Sequence, residues 1–320
     1  MKKTKWFIIA FMFTIGISSC VKETDDKRTI QVAINDSTTF YFQLNKYKLN
    51  EAEVTRSPDS LGFYKGYLSI PETFFYKDKK YYVVGVDEHA FWDCKELYWV
   101  KIPNMVTYLE NGAFSGCENL TSVEIPSSIT HLPDDVFQGC GFSSFVIPNW
   151  ITSIEGNAFS SCDKLVSVTI PESVSSIKRT AFIECSSLEA INVDERNAHY
   201  SSEDGVLFGG HKYELRIFPV AKSGAYTIPD GVASIGEWAF MRCEGLTSIT
   251  IPSTVVSIGN NAFWECTNLT SLTCLADTPP VIEKGQLYGY FHEIKVPDSS
   301  IDAYKAADGW KMYADIIVGI

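Results

Sequence analysis

Apolar side chains recur along the chain in one short spacing. Leu120, Val123 and Ile125 precede Pro126. The same arrangement occurs at three other places, residues 97–103, 165–171 and 246–252. Because alternate residues of a strand point to one face, the last two apolar residues of each motif are expected to point inward. Proline has no backbone N–H and suits the end of a strand, so the pattern predicts one short strand per repeat.

A phenylalanine and a cysteine, three residues apart, accompany these motifs. The phenylalanines are Phe91, Phe114, Phe137, Phe159, Phe182, Phe240 and Phe263. The cysteines are Cys94, Cys117, Cys140, Cys162, Cys185, Cys243 and Cys266, and consecutive ones lie 23, 23, 22, 23, 58 and 23 residues apart. One repeat of this length buries too little apolar surface alone, so each must stack on its neighbours. We therefore predict a repeat solenoid, mainly β with short helical or 3-10 turns, of about 23 residues per coil.

The full repeat reads Ala-Phe-x-x-Cys-x-x-Leu-x-x-Val-x-Ile-Pro-x-x-Val-x-x-Ile and resembles the BspA-type leucine-rich repeat. The resemblance covers about residues 67–275. That family consists of surface lipoproteins and secreted proteins of bacteria and some protozoa, and some relatives are implicated in adhesion to extracellular-matrix proteins. The resemblance implies a non-catalytic scaffold that binds host or environmental macromolecules, although a fold alone does not determine a function.

The ends of the array are expected to be capped. We predict a linker and N-terminal β cap over residues 20–66, the solenoid over 67–275, and a C-terminal capping unit over 276–320. A solenoid end without a cap would expose unpaired backbone groups. In the closing unit, Asp298 or Ser299 is expected to cap a short helix.

The interval of 58 residues between Cys185 and Cys243 breaks the period. It corresponds to one ordinary coil and one coil of about 35 residues, and its sequence is similar to the long, hairpin-bearing repeat of the family. We expect this repeat at about residues 193–228. Asp204-Gly205 favours a tight turn between its extended segments.

Residues 1–19 have the order of a secretory signal peptide, with a basic start followed by an apolar run from Trp6 to Ile17. The run is too short to span a bilayer, which takes about 20 residues. Ile17-Ser18-Ser19-Cys20 resembles a bacterial lipobox, in which the cysteine is acylated and becomes the new N-terminus. An ordinary signal peptide and an uncleaved membrane anchor are the alternatives.

Acidic residues follow Cys20, in the segment Lys22-Glu23-Thr24-Asp25-Asp26. The segment resembles the tag that sends lipoproteins to the outer face of the outer membrane in the Bacteroidetes; the alternative is an acidic, solvated linker. The predicted location is therefore the outer membrane, with a lipid anchor as the only membrane attachment and the protein facing the cell exterior.

The charge of the chain disfavours nucleic-acid partners. Its 39 acidic and 27 basic residues give a formal net charge of −12, and loss of the three lysines in residues 1–19 would change this to −15. Such a chain repels phosphate backbones, and the sequence contains no basic stripe. We expect a monomer whose partner is a protein or a glycan.

Nothing in the sequence indicates catalysis, a metal or a cofactor. The five histidines are scattered singly, whereas a zinc site needs three or four clustered ligands. Nucleophile elbows, phosphate-binding glycine loops and His-Glu-x-x-His motifs are missing from the sequence. Stacked coils about 4.8 Å apart would place equivalent cysteines within disulfide range. However, equivalent side chains point in parallel, so buried free thiols are favoured over disulfides.

Two kinds of surface position could contact a partner. Outward strand positions are mostly serine or threonine after the first coil, whereas the position after each repeat phenylalanine varies from serine to tryptophan. The candidates for partner contact are Trp92, Trp99, Lys101, Trp238, Met241, Arg242 and Trp264. The last four either form one binding surface or are partly buried beneath the hairpin of the long repeat. A glycan- or nutrient-capturing lipoprotein and a purely structural envelope protein are the alternatives to adhesion.

Overall fold

The computed structural model describes residues 21–23, 29–34, 38–45, 48–58, 62–283 and 287–320. The predicted signal peptide and Cys20 lie outside these residues. The described chain divides into two compact units. The first comprises residues up to Phe142 together with Asn157–Phe159, and the second comprises Ser143–Gly156 and Ser160–Ile320.

The strands of the first unit are β1 (Val21–Glu23), β2 (Thr29–Ala33), β3 (Thr39–Leu44), β4 (Glu51–Thr55), β5 (Gly66–Ser69), β6 (Thr73–Tyr76), β7 (Lys79–Val86), β8 (Leu97–Lys101), β9 (Tyr108–Leu109), β10 (Ser122–Glu124) and β11 (His131–Leu132). A mixed sheet of order β1-β2-β3-β4-β7-β6, with β9 paired to β7, forms the N-terminal cap. The first coils form a second, parallel sheet of order β10-β8-β5.

Aromatic packing joins the cap to the first coil. Tyr64 is buried between Phe40 and Phe91, at ring-centroid distances of 5.4 and 4.6 Å. Its hydroxyl donates to the carbonyl oxygen of Thr55 at 2.7 Å and accepts from the amide of Tyr41 at 2.9 Å. The buried hydroxyl therefore has a hydrogen-bond partner both as donor and as acceptor, as a buried tyrosine requires.

The strands of the second unit are β12 (Ser144–Val146), β13 (Ser153–Ile154), β14 (Ser167–Ile170), β15 (Ser176–Ile177), β16 (Ala190–Val193), β17 (Tyr200–Glu203), β18 (Val206–Gly209), β19 (Glu214–Ile217), β20 (Gly224–Thr227), β21 (Ser234–Ile235), β22 (Leu246–Ile251), β23 (Ser257–Ile258), β24 (Ser271–Cys274), β25 (Val281–Ile282), β26 (Glu293–Val296) and β27 (Ile317–Gly319). One wall carries the parallel sheets β12-β14-β16 and β20-β22-β24-β26-β27. The other carries the pair β13-β15 and the sheet β17-β18-β19-β21-β23-β25.

The repeat phenylalanines fill the corners of the coils. All seven are buried, and within each unit rings from neighbouring coils stack on one another. In the first unit the centroids of Phe91 and Phe114 lie 4.8 Å apart, and in the second those of Phe240 and Phe263 lie 5.2 Å apart. The predicted repeat solenoid of about 23 residues per coil is confirmed.

The long repeat contains a hairpin. Strands β17 and β18 are antiparallel, and Asp204–Gly205 forms the turn between them. Gly205 has a φ of +77°, and a Cβ there would lie 2.8 Å from Ala190. Phe218 takes the corner position of this coil, because its amide donates to Ala239 and its ring packs 4.9 Å from Phe240.

An ion cluster holds the hairpin region against the preceding coil. Glu214 accepts from Arg179 at 2.6 Å and from Arg216 at 3.1 Å. Arg216 also donates to the carbonyl oxygen of Ile177 at 3.0 Å. A side chain at position 236 would displace this cluster, since a Cβ on Gly236 would lie 2.3 Å from Nη1 of Arg179.

The C-terminal unit has a short helix, as predicted, but the cap prediction was wrong. Residues Asp298–Ser300 form a 3-10 turn, helix α1 spans Ile301–Ala306, and a second 3-10 turn spans Lys311–Ile316. Ser300 is the N-cap of α1 and makes no side-chain capping hydrogen bond, so neither Asp298 nor Ser299 caps the helix. The chain tightens into the 3-10 turn directly after Pro297, which places both residues inside that turn. Tyr304 and Trp310 are fully buried and close the core.

Candidate binding surfaces

The cysteines of the repeat belong to the core. All eight cysteines in the described residues are buried, and none of them forms a disulfide. Several thiols donate to the carbonyl oxygen of a phenylalanine in the preceding coil, with Cys117 bound to Phe91 at 3.1 Å and Cys140 to Phe114 at 3.2 Å. Burial raises the pKa of the Cys266 thiol to about 12, so this group stays protonated at neutral pH and is a poor nucleophile.

Two residues in most corner turns have a left-handed backbone. The first immediately precedes the Ala-Phe pair or its equivalent, at His89, Gly112, Asp135, Asn157, Trp238 and Asn261. The second immediately precedes the cysteine, at Asp93, Gly116, Gly139, Ser161, Glu184, Arg242 and Glu265. The amides in these turns donate to the next coil: Asp93 to Ser115 at 2.9 Å, and Arg242 to Trp264 at 2.8 Å. Hydrogen bonds between coils therefore fix the direction of the turn side chains.

Trp238 and Met241 lie together in the second unit. Both are half-buried and line one shallow pocket with Ile183, Leu188 and Val220. The pocket forms where the long repeat continues as Pro219-Val220 instead of making the usual corner turn. Residues of the long repeat therefore cover part of both side chains, although the hairpin strands β17 and β18 do not line the pocket.

Arg242 is exposed and joins two turns. Its guanidinium donates to Glu184 at 2.7 Å and to Glu265 at 2.6 Å. The hydrogen bond from Arg242 lowers the pKa of the Glu265 carboxyl. Trp264 directly precedes Glu265, and its ring meets that of Tyr288 edge to face, with 5.2 Å between the ring centroids. Tyr288 was missed in the sequence because it lies beyond the last phenylalanine–cysteine pair.

We name Trp238, Met241, Arg242, Trp264 and Tyr288 the corner surface. It is confined to the second unit. The corresponding turn positions of the first unit include Ser115 and Gln138, whose side chains are hydrogen-bonded at 3.1 Å. Trp92 is the aromatic residue at this turn position in the first unit, so the corner surface is distinguished by grouping several large side chains rather than by having one.

The remaining candidates, Trp92, Trp99 and Lys101, lie in the first unit. Trp92 is in a corner turn, 41% exposed, with its ring 5.8 Å from His89. Trp99 is on the outward face of β8, opposite Ser122 on β10. Lys101 lies two residues further along β8 and pairs with Glu124 at 3.1 Å. The turn residue and the two strand residues thus occupy different structural positions.

Two exposed tyrosines beside Trp99 were missed. Tyr67 on β5 is 77% exposed, Tyr98 on β8 is 41% exposed, and their ring centroids are 5.9 Å apart. The register between β5 and β8 shifts at this point: Gly66 faces Leu97 and Tyr67 faces Trp99, so Tyr98 is an extra residue. The sequence contained one indication of Tyr98, because this residue immediately precedes Trp99, which was predicted to point outward.

Two features are absent from the described residues. No helix in them is long and apolar enough to span a membrane. They also contain no group of three or more histidine, cysteine, aspartate or glutamate residues placed to bind a metal ion.

Stacked parallel strands, a buried phenylalanine column and hydrogen-bonded corner turns define a leucine-rich repeat solenoid. The chain belongs to the BspA-type leucine-rich repeat family, whose model matches residues 85–203 and 218–303 in six copies. The unmatched residues between these segments include the whole of β18 and β19. Among curated proteins, none matches this chain.

Two solved structures share the fold. A leucine-rich repeat protein from Eubacterium ventriosum is 22% identical, with a TM-score of 0.60 over 82% of this chain and 71% of its own. The pneumococcal vaccine antigen PcpA is 17% identical, with a TM-score of 0.59 over 81% of this chain and 80% of its own. At these identities, the similarity concerns the fold alone.

Proposed function

We propose that the protein is a non-catalytic scaffold, anchored to the outer membrane by lipid on Cys20, that binds a macromolecule at the cell exterior. Adhesion to an extracellular-matrix protein is the leading function. The family consists of surface repeat proteins, and a leucine-rich repeat solenoid typically serves as a scaffold rather than as a catalyst. The lipobox-like sequence before Cys20 supports the anchor.

The corner surface is the proposed contact region. Tryptophan and arginine side chains dominate the binding energy of many protein interfaces. Here they stand on turns whose backbone is held by hydrogen bonds to the next coil. A partner would therefore bind side chains that are already ordered, which lowers the entropic cost of association.

The observation that carries this proposal is the backbone of Trp238. Its φ is +61°, a conformation that costs a non-glycine residue roughly 1–2 kcal/mol. Equivalent positions in other coils carry residues that tolerate it better, namely Gly112, Asp135, Asn157 and Asn261. A large aromatic residue in a strained turn favours a functional role for its side chain.

The test is binding of cells that display the full chain to immobilised collagen, fibronectin and laminin. Trp238→Asn places at this position the residue found at Asn261, so the left-handed turn is kept while the indole is removed. We expect binding to at least one matrix protein and a loss of at least tenfold in Trp238→Asn, with Ser248→Ala as the matched control. Binding that is equal in both variants would remove the corner surface from the proposal. Failure to bind any matrix protein would count against adhesion.

A further inference from the structure

A second surface, in the first unit, combines exposed aromatic rings with hydroxyl groups. Tyr67, Trp99 and Ser122 are register partners across β5, β8 and β10. The extra residue Tyr98 lies next to Trp99, and its ring meets that of Tyr67. We name Tyr67, Tyr98 and Trp99 the aromatic platform.

Two successive residues of β8, Tyr98 and Trp99, are available on the outer face. In a regular strand, neighbouring side chains point to opposite faces. Leu97 and Val100 are buried, whereas Tyr98 is exposed and Trp99 is partly exposed. The equivalent residues of the next coil, Thr121 and Ser122, are exposed as well, so the two outward positions belong to the repeat and the aromatic rings are particular to this coil. The solenoid core therefore keeps its inward residues while the outer face gains an additional ring.

The platform is a local feature rather than a property of the repeat. One coil later, the residues corresponding to Tyr98 and Trp99 are Thr121 and Ser122. In the second unit, the register shift between β20 and β22 places Thr247 at the extra position. Exposed apolar groups that cluster in one place typically mark an interaction site.

The charges around the platform cancel. Lys65 and Glu96 flank its start, and the ion pair of Lys101 with Glu124 closes its other end. A polyanion would meet no excess positive charge in a chain of net charge −12, and a strongly basic protein would meet no local excess of negative charge. The electrostatics favour an uncharged partner.

Aromatic rings beside hydroxyl groups suit a sugar. One face of a pyranose ring presents C–H groups, which pack on the electron-rich face of tyrosine or tryptophan. Its hydroxyl groups can exchange hydrogen bonds with Ser122, Thr121 and the Lys101–Glu124 pair. Because these side chains stand across adjacent strands, they offer an extended chain several successive contacts.

We infer that the aromatic platform binds a neutral polysaccharide. This site is additional to the corner surface and depends on other residues. The test is affinity electrophoresis of the purified full-length protein in native gels that contain amylopectin, laminarin, xyloglucan or galactomannan. Polygalacturonate serves as an anionic probe.

We expect at least one neutral polysaccharide to retard the protein. Tyr67→Ala and Trp99→Ala should each weaken that association at least tenfold. Tyr67 is 77% exposed, so its removal leaves the core intact, and melting curves check the fold of both variants. Trp264→Ala, on the corner surface, should behave as the wild type, so the two proposals can fail separately.

Three results would overturn the inference. One is the absence of retardation by every neutral polysaccharide, and another is retardation that survives both platform substitutions. The third is retardation by polygalacturonate alone, which would contradict the charge argument. If Tyr67→Ala instead abolished binding to a matrix protein while no polysaccharide bound, the platform would belong to a protein partner.

Discussion

The thiol of Cys266 donates a hydrogen bond of 2.8 Å to the carbonyl oxygen of Phe240, 26 residues earlier. That carbonyl also accepts from the amide of Cys243 at 3.1 Å, so one oxygen serves its own coil and the next. A cysteine is small enough for the buried corner and still supplies a donor. Alanine would fit but could not donate, which gives a physical reason for the repeated cysteine.

The buried thiols predict a loss of stability in alkaline solution. An unfolded cysteine has a pKa of about 8.5, whereas burial raises that of Cys266 to about 12. The native state therefore holds the proton more tightly. Below pH 8.5 this contribution is fully present, and it is lost as the pH rises from about 8.5 to about 12. The free energy of unfolding in urea should fall between pH 8 and pH 10 by about 2 kcal/mol for each such thiol.

Cys266→Ala is the control for this effect. The variant is less stable near neutral pH because it lacks the hydrogen bond and leaves a small cavity. Since it cannot lose that proton, its stability should fall less steeply above pH 8.5. Parallel curves for the wild type and the variant would show that Cys266 does not contribute to the alkaline loss.

Glu214 predicts a second stability effect. Its carboxylate pairs with both Arg179 and Arg216, and its side chain is only 20% exposed. Glu214→Gln removes the charge and leaves two guanidinium groups without an anionic partner, so we expect a loss of about 1–3 kcal/mol in urea unfolding. Glu293→Gln is the matched control, because its pair with Lys295 is about 40% exposed and should contribute less than about 1 kcal/mol. Equal losses in the two variants would contradict a special role for the cluster.

The period of the sequence predicted which residues form the core, because equivalent side chains of stacked coils pack against each other. Phe114 stacks on Phe91 for this reason, and no tertiary information was needed. The turn backbone could not be predicted in the same way. Gly116 indicates a left-handed residue, but Glu184 and Arg242 in equivalent positions do not. Their conformation is imposed by the stacked coils, which overrides local preference.

The binding surfaces were predicted less completely than the core. Trp238 and Met241 were grouped because they are close in sequence, whereas the pocket that they line also contains Val220 of the long repeat, which the repeat pattern does not place there. Tyr98 is one of two outward residues between Leu97 and Val100, and its ring meets that of Tyr67 where the pairing of β5 and β8 skips a residue. Such features arise from irregularities between coils, and a repeat pattern describes only what the coils share.

Cys20 lies outside the described residues, so its acylation stays a prediction. Cys20→Ala should release the protein from the membrane or leave an unprocessed precursor, whereas Ser19→Ala should be processed and retained. The measurement is membrane fractionation with metabolic labelling by a fatty acid. Two or more acyl chains anchor a protein stably where one does not. Normal processing and retention of Cys20→Ala would contradict lipidation, and resistance to protease on intact cells would contradict surface display.

The choice between the two faces of the second unit can be tested once a protein partner is found. Trp264→Ala and Met241→Ala alter the corner surface, while the double variant Ser248→Ala with Thr250→Ala alters the hydroxyl-bearing face of β22. A desolvated tryptophan contributes about 2 kcal/mol or more at the centre of an interface, whereas a small exposed hydroxyl seldom does. We therefore expect Trp264→Ala to weaken binding by at least tenfold and the double variant to change it by less than about threefold. Melting curves that match the wild type must accompany each binding isotherm, because Met241 is half-buried. Binding that is lost only in the double variant would assign the contact to the sheet, where an extended partner would lie along the strands.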